Sequence, residues 1–213
     1  MYKNYLLIAL ILFFSCSKNV RTDEKETKVS EENSDKETEV ILNKDGKIPT
    51  EKLVEIKKSL IPGAGEGLFA KVDILKNTQI GIYVGKKITR DEYSVLYKNK
   101  KHHYVFLIKE CAKETKTPYI DGDRTHFVSK VNFGPSTIYG IDAYIQNVRF
   151  KRYCKEPYVR LFASRDIKKG EELYVSYGDI YEYDFMEKKE VQDFFLKISG
   201  IERKPDEKFT FTD

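Results

Sequence analysis

From residue 54 onward the sequence is cut into short runs of β-branched and aromatic residues, and these runs restrict the fold more than any other feature. They are Val54 to Ile56, Gly67 to Ala70, Gln79 to Gly85, Tyr104 to Ile108, Tyr119 to Asp121, Asn147 to Phe150, Tyr158 to Ala163 and Glu172 to Tyr177. Each covers three to seven residues bounded by turn-forming or charged positions, the pattern of strands separated by turns. Two stretches read as helices: Arg90 to Tyr97, capped by Thr89, and Tyr183 to Ile198, which ends before Gly200. The expectation is a mainly β domain with few short helices and no internal repeat.

The chain ahead of this domain has a different composition. Residues 17–47 hold seven basic and nine acidic residues and no aromatics, too little apolar surface to offset the entropy of ordering the backbone. They read as a disordered charged tether. Before them, Lys3 precedes the apolar run Leu6 to Phe14. Nine residues of helix rise about 14 Å, short of the roughly 30 Å hydrocarbon core, so the run fits a signal peptide better than a spanning helix. Its end, Leu12-Phe13-Phe14-Ser15-Cys16, resembles a bacterial lipobox, with Phe13 where Leu is usual. That resemblance implies cleavage, lipidation of Cys16 and export to a membrane-anchored position at the cell surface. The divisions expected are a lipoprotein-type signal peptide at 1–16, the tether at 17–47, the folded domain at 48–185, and a C-terminal helix and tail at 186–213.

Composition removes several alternatives. Three cysteines, Cys16, Cys111 and Cys154, fall in no CxxC or Cys/His cluster, which argues against a disulfide scaffold and a structural zinc site and leaves free thiols as the expectation. The pair His102-His103 reads as surface residues, and Asp121-Gly122-Asp123 as a turn rather than a calcium loop. No metal is expected. A net charge of +4 is too slight to argue for nucleic-acid binding.

Gly63-Ala64-Gly65-Glu66-Gly67 is followed by the strand-like Leu68-Phe69-Ala70 and not by a helix, so it is no dinucleotide-binding turn. Its glycines still permit close approach of backbone to a ligand. Together with Ile82-Tyr83-Val84-Gly85 and the block Arg165-Asp166-Ile167-Lys168-Lys169-Gly170-Glu171-Glu172-Leu173 leading to Tyr177-Gly178, it resembles a SET-domain protein lysine methyltransferase over residues 52–183. The last block is the most specific part.

The resemblance implies a β-clip architecture with a pseudoknot-like C-terminal segment and a C-terminal helix. It further implies S-adenosylmethionine as cofactor, bound by Ala64, Gly65, Glu66, Gly67, Asn132 and Phe133, and a protein or peptide lysine as substrate. Tyr177 takes the place of the family's catalytic tyrosine, Tyr83 that of an aligning tyrosine in the lysine channel, and Phe150 and Val175 border that channel. One departure stands out: Phe133 occupies the place of the family's His in an Asn-His pair, and the stretch Pro135 to Gln146 is lengthened. The activity implied is methyl transfer to lysine, with tyrosine hydroxyls aligning the reactants and no general base. The alternative is a surface lipoprotein that uses the fold as a protein-binding module without catalysis, which the Phe133 departure and the cytoplasmic origin of S-adenosylmethionine would favour. Tyr181, Tyr183, Phe185, Phe194 and Phe195 are read as core packing that could also close the cofactor site.

Overall fold

The computed structural model describes residues 49–213 apart from 102, 109–112, 114, 155–157 and 179–180. The expected signal peptide with Cys16, the tether, His102 and Cys111 therefore lie outside the described residues. Among the described residues no helix is long and apolar enough to cross a membrane.

A single helical turn, α1 (Thr50–Leu53), leads into β1 (Val54–Lys58), which pairs antiparallel with β2 (Glu66–Ala70) in the register Val54 opposite Ala70. The run Gln79 to Gly85 divides into β3 (Gln79–Tyr83) and β4 (Gly85–Ile88) because the chain changes sheets at Val84. Tyr83 pairs with Val159, whereas Gly85 pairs with Gly122. Helix α2 (Arg90–Lys98) starts where expected: Thr89 Oγ1 accepts from Glu92 N and the Glu92 carboxylate accepts from Thr89 N, a reciprocal cap. Then come β5 (Val105–Leu107) and β6 (Tyr119–Gly122), which form a three-stranded sheet with β4 in the order β4-β6-β5. Asp121 and Gly122 thus belong to a strand, and the turn begins at Asp123, whose carboxylate accepts from Thr125.

After a 3-10 turn at Phe127–Lys130 come β7 (Asn132–Phe133), β8 (Thr137–Ile138) and β9 (Ile141–Asp142). The hairpin β10 (Val148–Tyr153) and β11 (Tyr158–Ala163) joins β3 in the order β10-β11-β3. Along β11 Val159, Leu161 and Ala163 are buried while the intervening residues are half-exposed, the period of two that a half-buried strand requires. The short β12 (Tyr174–Val175) runs parallel to β7, pairing Tyr174 with Asn132 and Val175 with Phe133.

The expected helix at 183–198 is interrupted. Asp184–Glu187 form a 3-10 turn, Lys188 is extended, and α3 (Lys189–Ser199) follows, ended by left-handed Gly200. The break lets Met186 sink into the core while Gln192 Nε2 donates to its freed carbonyl at 2.9 Å. The tail then returns as β13 (Phe211–Thr212), which pairs with β8 in the order β13-β8-β9.

Two apolar clusters result. The first is mainly aliphatic and holds the faces of β2, β3, β6, β10 and β11, with Leu68, Ile80, Val128 and Leu161 fully buried. The second gathers Phe133, Ile138, Tyr174, Met186 and Phe195, with Phe209 and Phe211 of the tail against them. Tyr177 packs on both. One expectation is corrected here: Cys154 is no free thiol but disulfide-bonded. It sits half-buried against the first cluster just past the end of β10.

Candidate active site

The site is built from the loop between β1 and β2. Ser59 N donates to Gly65 O at 2.8 Å, closing the loop, and Gly63 and Gly65 both take left-handed φ of 76°. Beneath the loop lies Glu172, 3% exposed. Its carboxylate accepts from Ser59 Oγ (2.7 Å), Leu60 N (2.8 Å), Asn132 Nδ2 (2.9 Å) and Tyr174 OH (2.9 Å). Four donors on one buried carboxylate make the charge tolerable and turn it into the pin of the loop. Gly67 is needed for this approach, since a Cβ there would lie 2.2 Å from Glu172 Oε1.

Asn132 completes the junction, its Nδ2 also reaching Glu66 O at 3.1 Å and Ser59 Oγ at 3.1 Å. Its amide group is therefore spent on tying β7 to the glycine-rich loop. Asn147, 1% exposed, clamps β12 by donating to Glu172 O and accepting from Tyr174 N. These bonds bring residues 59–67, 132 and 172–177 together.

A cavity of about 470 Å³ opens beside this junction, where the two apolar clusters meet. Ala64, Glu66, Asn132 and Phe133 line it together with Tyr83, Phe150 and Tyr177. Gly65, Gly67 and Val175 are not among its lining residues: the two glycines shape the loop, and Val175, 1% exposed, packs into the first cluster. Tyr181 and Phe185 face the cavity, while Tyr183, Phe194 and Phe195 pack in or against the second cluster. His103 also reaches the lining, with its ring 6.3 Å from that of Tyr181.

The lining carries opposite charges, Lys130 Nζ standing 2.7 Å from Glu66 Oε2. It also carries a group of aromatic rings. Tyr83 meets Phe150 edge-on with centroids 5.9 Å apart, and Phe106 of β5 meets Phe150 at 4.9 Å. Tyr83 OH donates to Tyr104 O at 2.7 Å, and Tyr177 OH donates to Val131 O at 2.9 Å. Burial, then the neighbouring phenols, push both hydroxyls above the ordinary tyrosine range. They stay protonated at neutral pH and can orient a group but not take its proton.

Sequence reasoning missed Glu172, Lys130, Phe106 and Asp213. Glu172 stands in the quoted block, and its signal was an acidic residue at the head of an apolar strand run. Phe106 lay in an expected strand, but nothing local marks which strand borders a cavity. Asp213 carried no local signal.

Set against known proteins, residues 65–178, more than half of the chain, match the model of the SET domain. Histone-lysine N-methyltransferase SETD7 of Halocynthia roretzi is 28% identical over 162 residues, 71% of this chain and 39% of that protein. Among solved structures, a humanized mutant of Chaetomium thermophilum Polycomb Repressive Complex 2 bound to an inhibitor is 26% identical, with a TM-score of 0.46, over 60% of this chain and 15% of that one. An active polycomb repressive complex 2 in the basal state is 28% identical, with a TM-score of 0.46, over 59% of this chain and 15% of that one. The chain thus spans about two fifths of the curated relative and a smaller share of the polycomb chains. By the extent of the family match, the chain belongs to the SET-domain family.

Proposed function

We propose that this protein transfers methyl groups from S-adenosylmethionine to lysine side chains of proteins. The observation that carries the reading is the lining of one cavity, which joins the charge pair of Lys130 and Glu66 beside the glycine-rich loop with the rings of Tyr83, Phe106, Phe150 and Tyr177. The donor set fits the cofactor, since a methionine moiety carries one ammonium and one carboxylate and Glu66 and Lys130 offer one partner for each. When bound, the cofactor supplies an electrophilic methyl group and a fixed positive charge that favours the neutral form of a lysine amine brought up to it.

The chain's own residues do the rest. The aromatic walls exclude water from the lysine, whose ordinary pKa near 10.4 falls on burial. Tyr83 and Tyr177, held by the carbonyls of Tyr104 and Val131, aim their oxygens and align the reacting groups through weak CH to oxygen contacts worth about 0.5–1 kcal/mol each. Most of the acceleration is then orientation. Phe133 takes part through its ring, as a wall, and the place of the family's imidazole is filled by packing.

The proposal extends to location: Cys16 lipidated, residues 17–47 a tether, and the domain exported. The lipobox-like end of the leader supports it, as does the disulfide at Cys154, because such bonds persist in oxidising compartments. Fatty-acid labelling of cells producing the protein and its Cys16→Ala variant is expected to label only the former; equal label overturns the location. The reading as a non-catalytic binding module draws no support from the cavity. Calorimetric titration with S-adenosylmethionine tests the choice, with saturable binding expected and no heat of binding contradicting the enzymatic reading.

A further inference from the structure

The last residues of the chain touch the backbone around Tyr177. Asp213 Oδ1 accepts from Tyr177 N at 2.9 Å, and Asp213 Oδ2 accepts from Ser176 Oγ at 2.7 Å and Gly178 N at 2.6 Å. Three donors from three consecutive residues therefore converge on one carboxylate. They fall just past the end of β12, where pairing with β7 stops and ladder bonds no longer fix the chain. Gly178 has left-handed φ of 89°, so the backbone turns away immediately after Tyr177 and needs an outside acceptor for its two N–H groups.

The carboxylate is itself held from behind. Ser136 N donates to Thr212 O at 3.0 Å and Tyr139 N to Thr210 O at 3.0 Å, while the Thr137 and Thr212 hydroxyls lie 2.8 Å apart. Phe211 meets Phe133 edge-on at 5.9 Å and Tyr183 at 5.4 Å. The tail is thus anchored by backbone pairing and by the ring of Phe211, two residues before the one that reaches Tyr177. The stretch that receives it, β8 and β9, belongs to the lengthened segment Pro135 to Gln146, which gives that segment a purpose.

We propose that Asp213 is a positioning residue for Tyr177, fixing the 176–178 backbone so that the Tyr177 hydroxyl stays on Val131 O and faces the cavity. The proposal rests on the methyltransferase reading for its kinetic consequence and on geometry alone for its structural one. Charge and shape both matter: a carboxylate offers two acceptor oxygens, whereas an amide of the same size offers one and presents N–H groups toward N–H groups. Asp213→Asn therefore breaks at least one of the three bonds without opening a hole in the core.

The test compares the whole protein with Asp213→Asn and with Ser176→Ala, which removes one donor and spares both backbone amides. Amide hydrogen exchange by NMR is read at Tyr177 and Gly178, beside the midpoint of thermal unfolding and, on a lysine substrate, kcat and KM separately. In Asp213→Asn, exchange at Tyr177 and Gly178 is expected to rise at least tenfold while amides of β11 stay protected, and kcat to fall about tenfold with KM for S-adenosylmethionine unchanged. Ser176→Ala is expected to show a smaller change in both. Exchange at Tyr177 and Gly178 that is equally slow in Asp213→Asn overturns the proposal, as does a loss of activity that only follows a lower unfolding midpoint. If the unaltered protein methylates nothing, the exchange result still decides the positioning role, and it is the enzymatic reading that fails.

Discussion

The two apolar clusters that meet at Tyr177 are built by different means. The first is aliphatic and comes mainly from antiparallel pairs, β1 with β2 and β3 with β11 with β10, with buried residues alternating along β11. The second is centred on one ring: Phe133 lies between 4.7 and 6.2 Å from the rings of Tyr177, Tyr183, Phe185, Phe195 and Phe211. These partners come from the stretch just past β12, the helical C-terminal region and the tail, segments that share no hairpin with β7. The first cluster carries Tyr83 and Phe150 on a rigid sheet, and the second delivers Tyr177 from the other side. A site between two independently packed bodies can be retuned from one side alone. Phe133 illustrates this, since its ring is enclosed by aromatic neighbours of the second cluster and is not among the residues of the first.

Cavity-forming substitutions break the comparison most severely. Phe195→Ala is expected to lower the unfolding free energy by about 3–5 kcal/mol and Leu161→Ala by about 2–5 kcal/mol, measured by urea denaturation. The pattern of damage separates them: hydrogen exchange in Phe195→Ala should rise first at Ser136 and Tyr139, which donate to the tail, and in Leu161→Ala across β3 and β11. Identical exchange maps would mean there is one core and not two. Glu172→Gln is next, at about 1.5–3 kcal/mol, because a charged acceptor with four donors becomes an amide that can satisfy fewer; an unchanged denaturation midpoint would refute its role as the pin of the loop. Phe133→His sharpens the contrast, with about 1–3 kcal/mol lost as a polar imidazole is buried in an aromatic cluster. A more stable variant would show that the aromatic cluster does not depend on an apolar ring there.

The smallest effect at neutral pH concerns the tyrosines. Tyr83, Tyr174, Tyr177 and Tyr183 all titrate above the ordinary value near 10, burial being the first cause in each. A raised acid pKa means the folded state keeps protons that the unfolded state has lost. Stability is therefore unaffected below about pH 10 and declines as pH rises through that value. Three of the four pack in or against the second cluster, so alkaline unfolding monitored by tyrosinate absorbance should loosen that side first. Stability that stays level from pH 9 to pH 12 would contradict the assignment.

Legibility in the sequence follows the same division. The strands of the first cluster were readable because β-branched and aromatic runs between turn residues are local signals, and α2 because Thr89 marks its start. The strands β7, β8, β9 and β13 were not, since two-residue strands have no period; β7, β8 and β13 owe their form to partners 42 to 75 residues away, and β9 to its hairpin with β8. Of the site, Tyr83, Tyr177, Phe150 and the glycine-rich loop could be named from family-like motifs. Asp213 could not, because a carboxylate that works through long-range backbone contacts looks like any other charged residue, and neither could the break at Lys188, where packing of Met186 overrides helical periodicity.

The central claim is that Tyr177, held at the junction of the two clusters, aligns methyl transfer to lysine. The direct measurement is transfer of labelled methyl from S-adenosylmethionine to a panel of proteins, with modified residues located by mass spectrometry, for the unaltered protein and for Tyr177→Phe. Removing one hydroxyl while keeping the ring should change stability by about 1 kcal/mol. It should lower kcat and kcat/KM together by tenfold or more, about 1.4 kcal/mol or greater in transition-state stabilisation. Methylated lysine formed at the same rate by both proteins, or by neither, would contradict the account.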